Sequence, residues 1–192
     1  MTERLDGLEI VTAADASEWE AWVAGHHADA PGAWLKIAKK GAAVASVTLA
    51  EAADICLCFG WIDSVRRSLD ETYYLQRYSH RRSTSSWSKI NVARAERLAA
   101  AGHMHASGLA EMAAAKADGR WDSAYESQKN ATTPPDLAAA LARSAAARAI
   151  YDSLCSSDRY ALILPLLKSR TPAIRAARLS KVFADLEPPR RP

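Results

Sequence analysis

Residues 61–79 read WIDSVRRSLDETYYLQRYS, and this stretch decides the class of fold. Two runs rich in aromatic and β-branched residues, Trp61–Ser68 and Thr72–Ser79, flank the polar step Leu69, Asp70, Glu71, which predicts an antiparallel hairpin. Strand alternation puts Trp61, Asp63, Val65 and Arg67 on one face and Ile62, Ser64 and Arg66 on the other. Neither face is purely apolar, so one is expected to meet something polar.

Towards the N-terminus, Thr48 and Glu51 form a capping box that opens a helix through Ala52, Ala53, Ile55 and Cys56 to a stop at Gly60. Ala33–Ala38 reads as a short strand closed by Lys39, Lys40 and Gly41. Ser17 with Glu20 reads as a second capping box, followed by Trp19, Trp22, Val23 and His26 at helical spacing. Towards the C-terminus the chain turns Ala-rich, and Gly, Pro and Thr punctuation predicts helices over 86–101, 106–118, 134–153 (with a break near Ser144), 157–168 and 172–185. Pro165 is expected to kink or shorten the fourth of these. The reading is α+β and predominantly helical, with a small, mostly antiparallel sheet of about three strands in the N-terminal half. Residues 1–187 are expected to form a single domain and 188–192 a flexible basic tail.

A chain of 192 residues buries a sizeable core without metal or disulfide staples. Its formal net charge of +3 is too small to announce a nucleic-acid or membrane partner. Three cysteines, Cys56, Cys58 and Cys155, show no framework spacing, which suits reduced thiols and a cytoplasmic setting. Glu3, Asp6 and Glu9 interrupt the start where a signal peptide needs a basic, then apolar run, and no apolar stretch approaches the roughly 20 residues of a membrane span. No nucleophile elbow, phosphate-binding glycine loop or metal-ligand spacing occurs, so no cofactor is expected.

Unusual residues concentrate between 58 and 121. Arg81 and Arg82 precede a serine-rich turn, Ser83–Ser86, and a helix start, where free amides and the helix dipole attract anions. Trp61, Trp87 and Trp121 offer flat apolar walls, Asn91 stands one turn after Trp87, and Arg120 adds a further guanidinium. With Asp63 they make a candidate pocket for a small-molecule or peptide ligand bearing negative charge. The competing reading makes the tryptophans core residues and pairs Asp63 with Arg67, Arg81 or Arg120. Two other functions stay open: an enzyme using Asp63 and a nearby histidine, His80, His103 or His105, and a nucleic-acid or anionic-surface binder. The second rests on Lys168, Arg170, Arg175, Arg178, Lys181, Arg190 and Arg191. Against it, Leu179, Val182, Phe183 and Leu186 form the apolar stripe of a docked helix.

Read together, GAWLKIAKKG at 32–41, CFGWID at 58–63, ETYYLQRYS at 71–79, RRSTSSWSKIN at 81–91, the Gly102–Gly108 turn, AKADGRW at 115–121 and SDRYALI at 157–163 resemble the YdeI/OmpD-associated, or bacteriocin-protection, family over about Leu8 to Leu186. The chain departs from the family pattern at His80, where proline is usual before the paired arginines, and at His105. The resemblance implies a protein associated with resistance to antimicrobial peptides or stress. No defined reaction comes with it, and a protein partner is as compatible as a small ligand.

Overall fold

The structure is a computed structural model that describes residues 3–186, so the expected tail at 188–192 lies outside the described residues. Over those residues the chain divides into two compact units: 3–85 with 91–121, and 86–90 with 122–186.

The first unit holds a five-stranded mixed sheet in the order β1-β2-β3-β5-β4. The elements are β1 (Arg4–Leu5), β2 (Leu8–Thr12), α1 (Ala16–His26), β3 (Ala33–Ala38), α2 (Leu49–Cys58), β4 (Trp61–Ser68) and β5 (Tyr73–His80). α3 (Lys89–Ala100), from Asn91 onward, and α4 (Ala106–Ala117) complete it. The hairpin and the strand Ala33–Ala38 stand where expected. The sheet is nevertheless larger than the three strands expected and is mixed: three of its four pairings are antiparallel, and β2 pairs parallel to β3 through Glu9↔Ala33 to Thr12↔Lys36. The polar start of the chain hid the strand LEIVT, and a parallel pair needs a crossover that only α1 supplies.

Side-chain chemistry explains these elements. The Asp70 carboxylate accepts from the Thr72 and Tyr73 amides at 2.8 and 2.7 Å and closes the hairpin. The Thr48–Glu51 box is present on α2. At α1 the cap is Asp15, not Ser17: Asp15 accepts from the Glu18 amide at 3.0 Å, and Ser17 donates to the same carboxylate at 2.7 Å. An ionised carboxylate accepts the orphan helix amide more strongly than a hydroxyl does. Trp19, Val23, Leu35, Cys56, Trp61 and Tyr78 are buried within this unit, and Leu8, Trp34 and Leu75 form a separate buried cluster with Leu5 and Ile10 against it.

The second unit is helical: α5 (Pro135–Leu141), α6 (Ala145–Ser153), α7 (Ser156–Leu167) and α8 (Pro172–Leu186). Ser144 breaks the 134–153 segment as expected, its hydroxyl accepting from the Ala147 amide at 3.2 Å. Pro165 sits in the last turn of α7, which runs on to Leu167. Leu137, Leu141, Ile163, Leu166, Val182 and Leu186 are among the residues of its core, with Leu179 and Phe183 packed against them, so α8 docks through its predicted stripe. Among the described residues no helix is long and apolar enough to cross a membrane.

Candidate functional site

The hairpin's far end meets α2 at Gly60, whose φ of +79° is a left-handed conformation that glycine adopts without strain. There the Arg81 amide donates to the Gly60 carbonyl at 3.1 Å, and Trp61 lies opposite His80 in the β4–β5 register. Trp61 is fully buried, its indole N–H donating to the His27 carbonyl at 3.2 Å. Its ring stands edge-on to Trp22 at 6.2 Å and tilted against His80 at 5.2 Å. Trp22 is stacked between Trp19 at 5.3 Å and His26 at 4.5 Å. A second ring group, His27, Phe59 and His105, has centroids 4.8 to 4.9 Å apart. His105 also caps α4, Nδ1 accepting from the Ser107 amide at 3.3 Å. Sequence reading missed this gathering of imidazoles and indoles, of which only the Trp22–His26 spacing gave a signal.

Arg82 is exposed and opens a closed turn, with its amide donating to Ser85 Oγ at 3.1 Å and the Ser85 amide donating back to its carbonyl at 2.8 Å. Arg81, next to it, is buried. Arg120 is buried as well, and its guanidinium is clamped by Glu111 at 2.7 Å and Asp118 at 2.7 Å while Nη1 reaches the Ser85 carbonyl at 3.5 Å. Burial alone lowers the Arg120 pKa, but the hydrogen bonds to Glu111 and Asp118 outweigh it and hold the group charged. Gly119, at φ +78°, turns the chain after α4, and the Trp121 amide donates to the Ala115 carbonyl at 3.0 Å. Lys116 Nζ lies 5.0 Å from the centroid of the buried Trp121 ring.

Trp61, Arg81, Arg82 and Arg120 therefore converge in the first unit through Gly60 and Ser85. Ser86 and Trp87 belong to the second unit, where the Tyr125 amide donates to the Trp87 carbonyl at 3.0 Å beside an isolated bridge between Ser88 and Tyr125. Asn91 is half-buried at the start of α3. Asp63 is exposed on the edge strand, and among the described residues it forms no ion pair. The pairings expected with Arg67 and Arg120 are replaced: Arg67 goes to Asp6 at 3.0 Å and Arg120 to Glu111 and Asp118. Asp63 and Arg67 are four residues apart along an extended strand, too far for their side chains to meet, whereas Asp118 stands two residues from Arg120 and reaches it directly.

The other chemical candidates take structural places. Burial pushes the Cys56 thiol well above its ordinary range, and Cys58, raised first by burial and then by Asp54, is pushed up to about 11. Among the described residues no group of three His, Cys, Asp or Glu is placed to hold a metal ion. In the basic C-terminal cluster, Arg175 forks onto Asp136 at 2.6 and 2.8 Å, and Arg178 donates to the Pro165 carbonyl at 2.6 Å. Lys168 lies 4.6 Å from the Tyr125 ring centroid. Three of the cations offered for phosphate neutralisation are thus engaged inside the second unit. Arg190 and Arg191 lie outside the described residues.

Two family models match the chain. One, described as domain of unknown function (DUF8412), covers residues 11–111. The other, described as Bacteriocin-protection, YdeI or OmpD-Associated, covers residues 130–187. The second supports the resemblance over residues 130–187, a shorter span than the Leu8 to Leu186 read from the motifs. Of those motifs SDRYALI at 157–163 lies inside its span, whereas GAWLKIAKKG, CFGWID, ETYYLQRYS and RRSTSSWSKIN lie under the first model. No curated protein and no solved structure matches.

Proposed function

Because the chain belongs to the DUF8412 family, whose model spans more than half of its 192 residues, and carries a Bacteriocin-protection, YdeI or OmpD-Associated segment at 130–187, we propose that it is a non-catalytic binding protein with a protective role. The protective role rests on the description of the second family. The ligand-binding role rests on the end of the hairpin.

One observation carries it: the exposed Arg82 guanidinium stands on a turn locked by two hydrogen bonds, next to the buried Arg81 and within reach of the Arg120 clamp through Ser85. A rigid turn spends little entropy on ligand binding, and the exposed Arg82 guanidinium supplies the positive charge. The exposed His80 ring, backed by the buried Trp61, supplies a flat face beside it, and the exposed Asp63 on the same strand pair gives the rim a second polar group. A small molecule or peptide presenting a carboxylate, phosphate or sulfate next to a planar or apolar part fits this rim. Asn91 and Trp121, in the same unit, complete the proposed set of binding residues. The two buried, protonated thiols Cys56 and Cys58 agree with a cytoplasmic setting.

Thermal-shift and calorimetric screening of wild type against Arg82→Ala, with phosphate, sulfate, short carboxylates and acidic peptides, tests the proposal. The expected outcome is stabilisation of wild type by at least one class and its loss in the variant, whose own Tm is unchanged. Identical ligand profiles for the two proteins remove the rim. The enzyme reading, with Asp63 as base, gains no such support: His80, the histidine nearest along the paired strands, is packed on the Trp61 ring at 5.2 Å.

A further inference from the structure

We infer that the second unit carries a binding site of its own, for a small monoanionic organic carboxylate, in a cleft centred on Arg159. The cleft encloses about 410 Å³ and includes in its lining Gln128, Thr132, Thr133, Tyr151, Ser156 and Arg159. That volume lies within the range of small-molecule pockets, whereas it is far larger than a site for one water or ion. Leu154 and Ile163 give it an apolar floor.

The polar groups around it divide into spent and unspent. Tyr151 Oη is bonded to Thr133 Oγ1 at 2.9 Å, and Tyr160 Oη donates to the Glu126 carbonyl at 3.0 Å. Arg159 lies over the Tyr151 ring, its guanidinium carbon 5.7 Å from the centroid, and Nη2 donates to the Asp152 carbonyl at 2.5 Å. These two contacts fix the plane of the guanidinium. Its Nη1 makes no hydrogen bond among the described residues, and neither do the side chains of Gln128, Thr132 and Ser156, so an oriented cation and three neutral hydrogen-bonding groups face one cavity. Oriented cation, neutral donors and apolar floor together are the donor set for an acid group attached to an organic body.

Charge count selects the ligand's valence. Asp158 and Asp152, neighbours in sequence of lining residues, are engaged elsewhere, the first accepting from Cys155 Sγ at 3.1 Å and the second paired with Arg148 at 3.0 Å. Arg159 is the charged side chain of the lining, so it balances a single negative charge and leaves a dianion such as phosphate half uncompensated. The apolar floor disfavours a bare inorganic ion in the same way.

Titration of the ¹⁵N-labelled full chain with benzoate, with inorganic phosphate and chloride as parallel arms at matched ionic strength, tests this. Saturable amide shifts at 128–133 and 151–163 are expected with benzoate, weaker ones there with phosphate and none there that saturate with chloride, whatever the amides around Arg82 do. Arg159→Gln is expected to weaken benzoate binding, read at those amides, about tenfold, as loss of a charge-assisted hydrogen bond does. If Arg159→Gln loses amide dispersion, Arg159→Lys, which keeps the charge and loses the fork, takes its place and is expected to bind more weakly than wild type. Absence of saturable shifts, an unchanged Kd in the folded Arg159 variant, or tighter binding of phosphate than of benzoate each overturns the assignment.

Discussion

A methyl group at position 108 stands 2.1 Å from the Cys58 carbonyl oxygen and 2.8 Å from its carbon, contacts that backbone atoms do not relieve. Gly108 is what lets α4 start against the end of α2, where the His105 amide donates to the Cys58 carbonyl at 3.0 Å and Ser107 Oγ to the Phe59 carbonyl at 3.0 Å. Gly108→Ala is therefore expected to lower unfolding stability by about 1–3 kcal/mol. Gly25→Ala, in α1 with nothing within 4 Å of the added carbon, is expected to raise it by about 0.5–1 kcal/mol. Urea midpoints of the two variants give opposite signs if the packing is as described. Arg120→Ala is expected to cost about 2–3 kcal/mol, because Glu111 is left with a charge and no partner while the half-exposed Asp118 is partly rescued by water. None of these roles is legible in a sequence: ASGLA reads as an ordinary helix, and ADGRW gives no sign that the arginine reaches back nine residues to Glu111. For the candidate site, the sequence names the segments but not which arginine faces water, because burial is decided by tertiary neighbours.

Elements were readable where local chemistry dominates and unreadable where pairing does. The Thr48–Glu51 box, the Asp70 turn, the Ser144 break and the stripe of α8 all follow from side chains within four residues of the backbone they serve, and all stand where the sequence put them. β2 depends on a partner 24 residues away, Ala33 opposite Glu9, and its five residues carry no turn signal of their own. The α1 cap shows the limit of motif reading: Ser17 and Glu20 have the right spacing, but Asp15 and Glu18 have it too, and Glu18 Oε2 accepts from the amide of Ala14, one residue before the cap, at 2.8 Å. Asp15→Ala is expected to cost about 1 kcal/mol. Ser17→Ala, which removes only a donor to the cap, is expected to cost well under half of that, and chemical denaturation of the two variants separates the assignments.

At the scale of the whole molecule, the two family matches fall in different units, 11–111 beginning and ending in the first and 130–187 in the second, so the chain joins two recognisable pieces whose motifs ran together when read as one list. Its pH dependence is distributed in the same way. Hydrogen bonds hold four carboxyls below their ordinary range: Asp15 by Ser17 and the Glu18 amide, Glu51 by Thr48, Asp70 by the Tyr73 and Thr72 amides, and Asp136 by Arg175. A depressed carboxyl contributes stability that is complete above its unfolded pKa and lost as pH falls through the folded one. The acid side of the stability curve is therefore expected to fall from the ordinary carboxylate range downward, in both units. On the alkaline side, the Cys58 thiol is raised from 9.0 to about 11, so the unfolded chain ionises first and stability declines between those values. Urea midpoints from pH 3 to pH 10.5 are expected to trace a plateau with these two shoulders. Asp70→Asn should make the acid shoulder shallower and Cys58→Ser the alkaline one, each leaving the opposite side in place; a shoulder unmoved by its own variant assigns the titration to other groups.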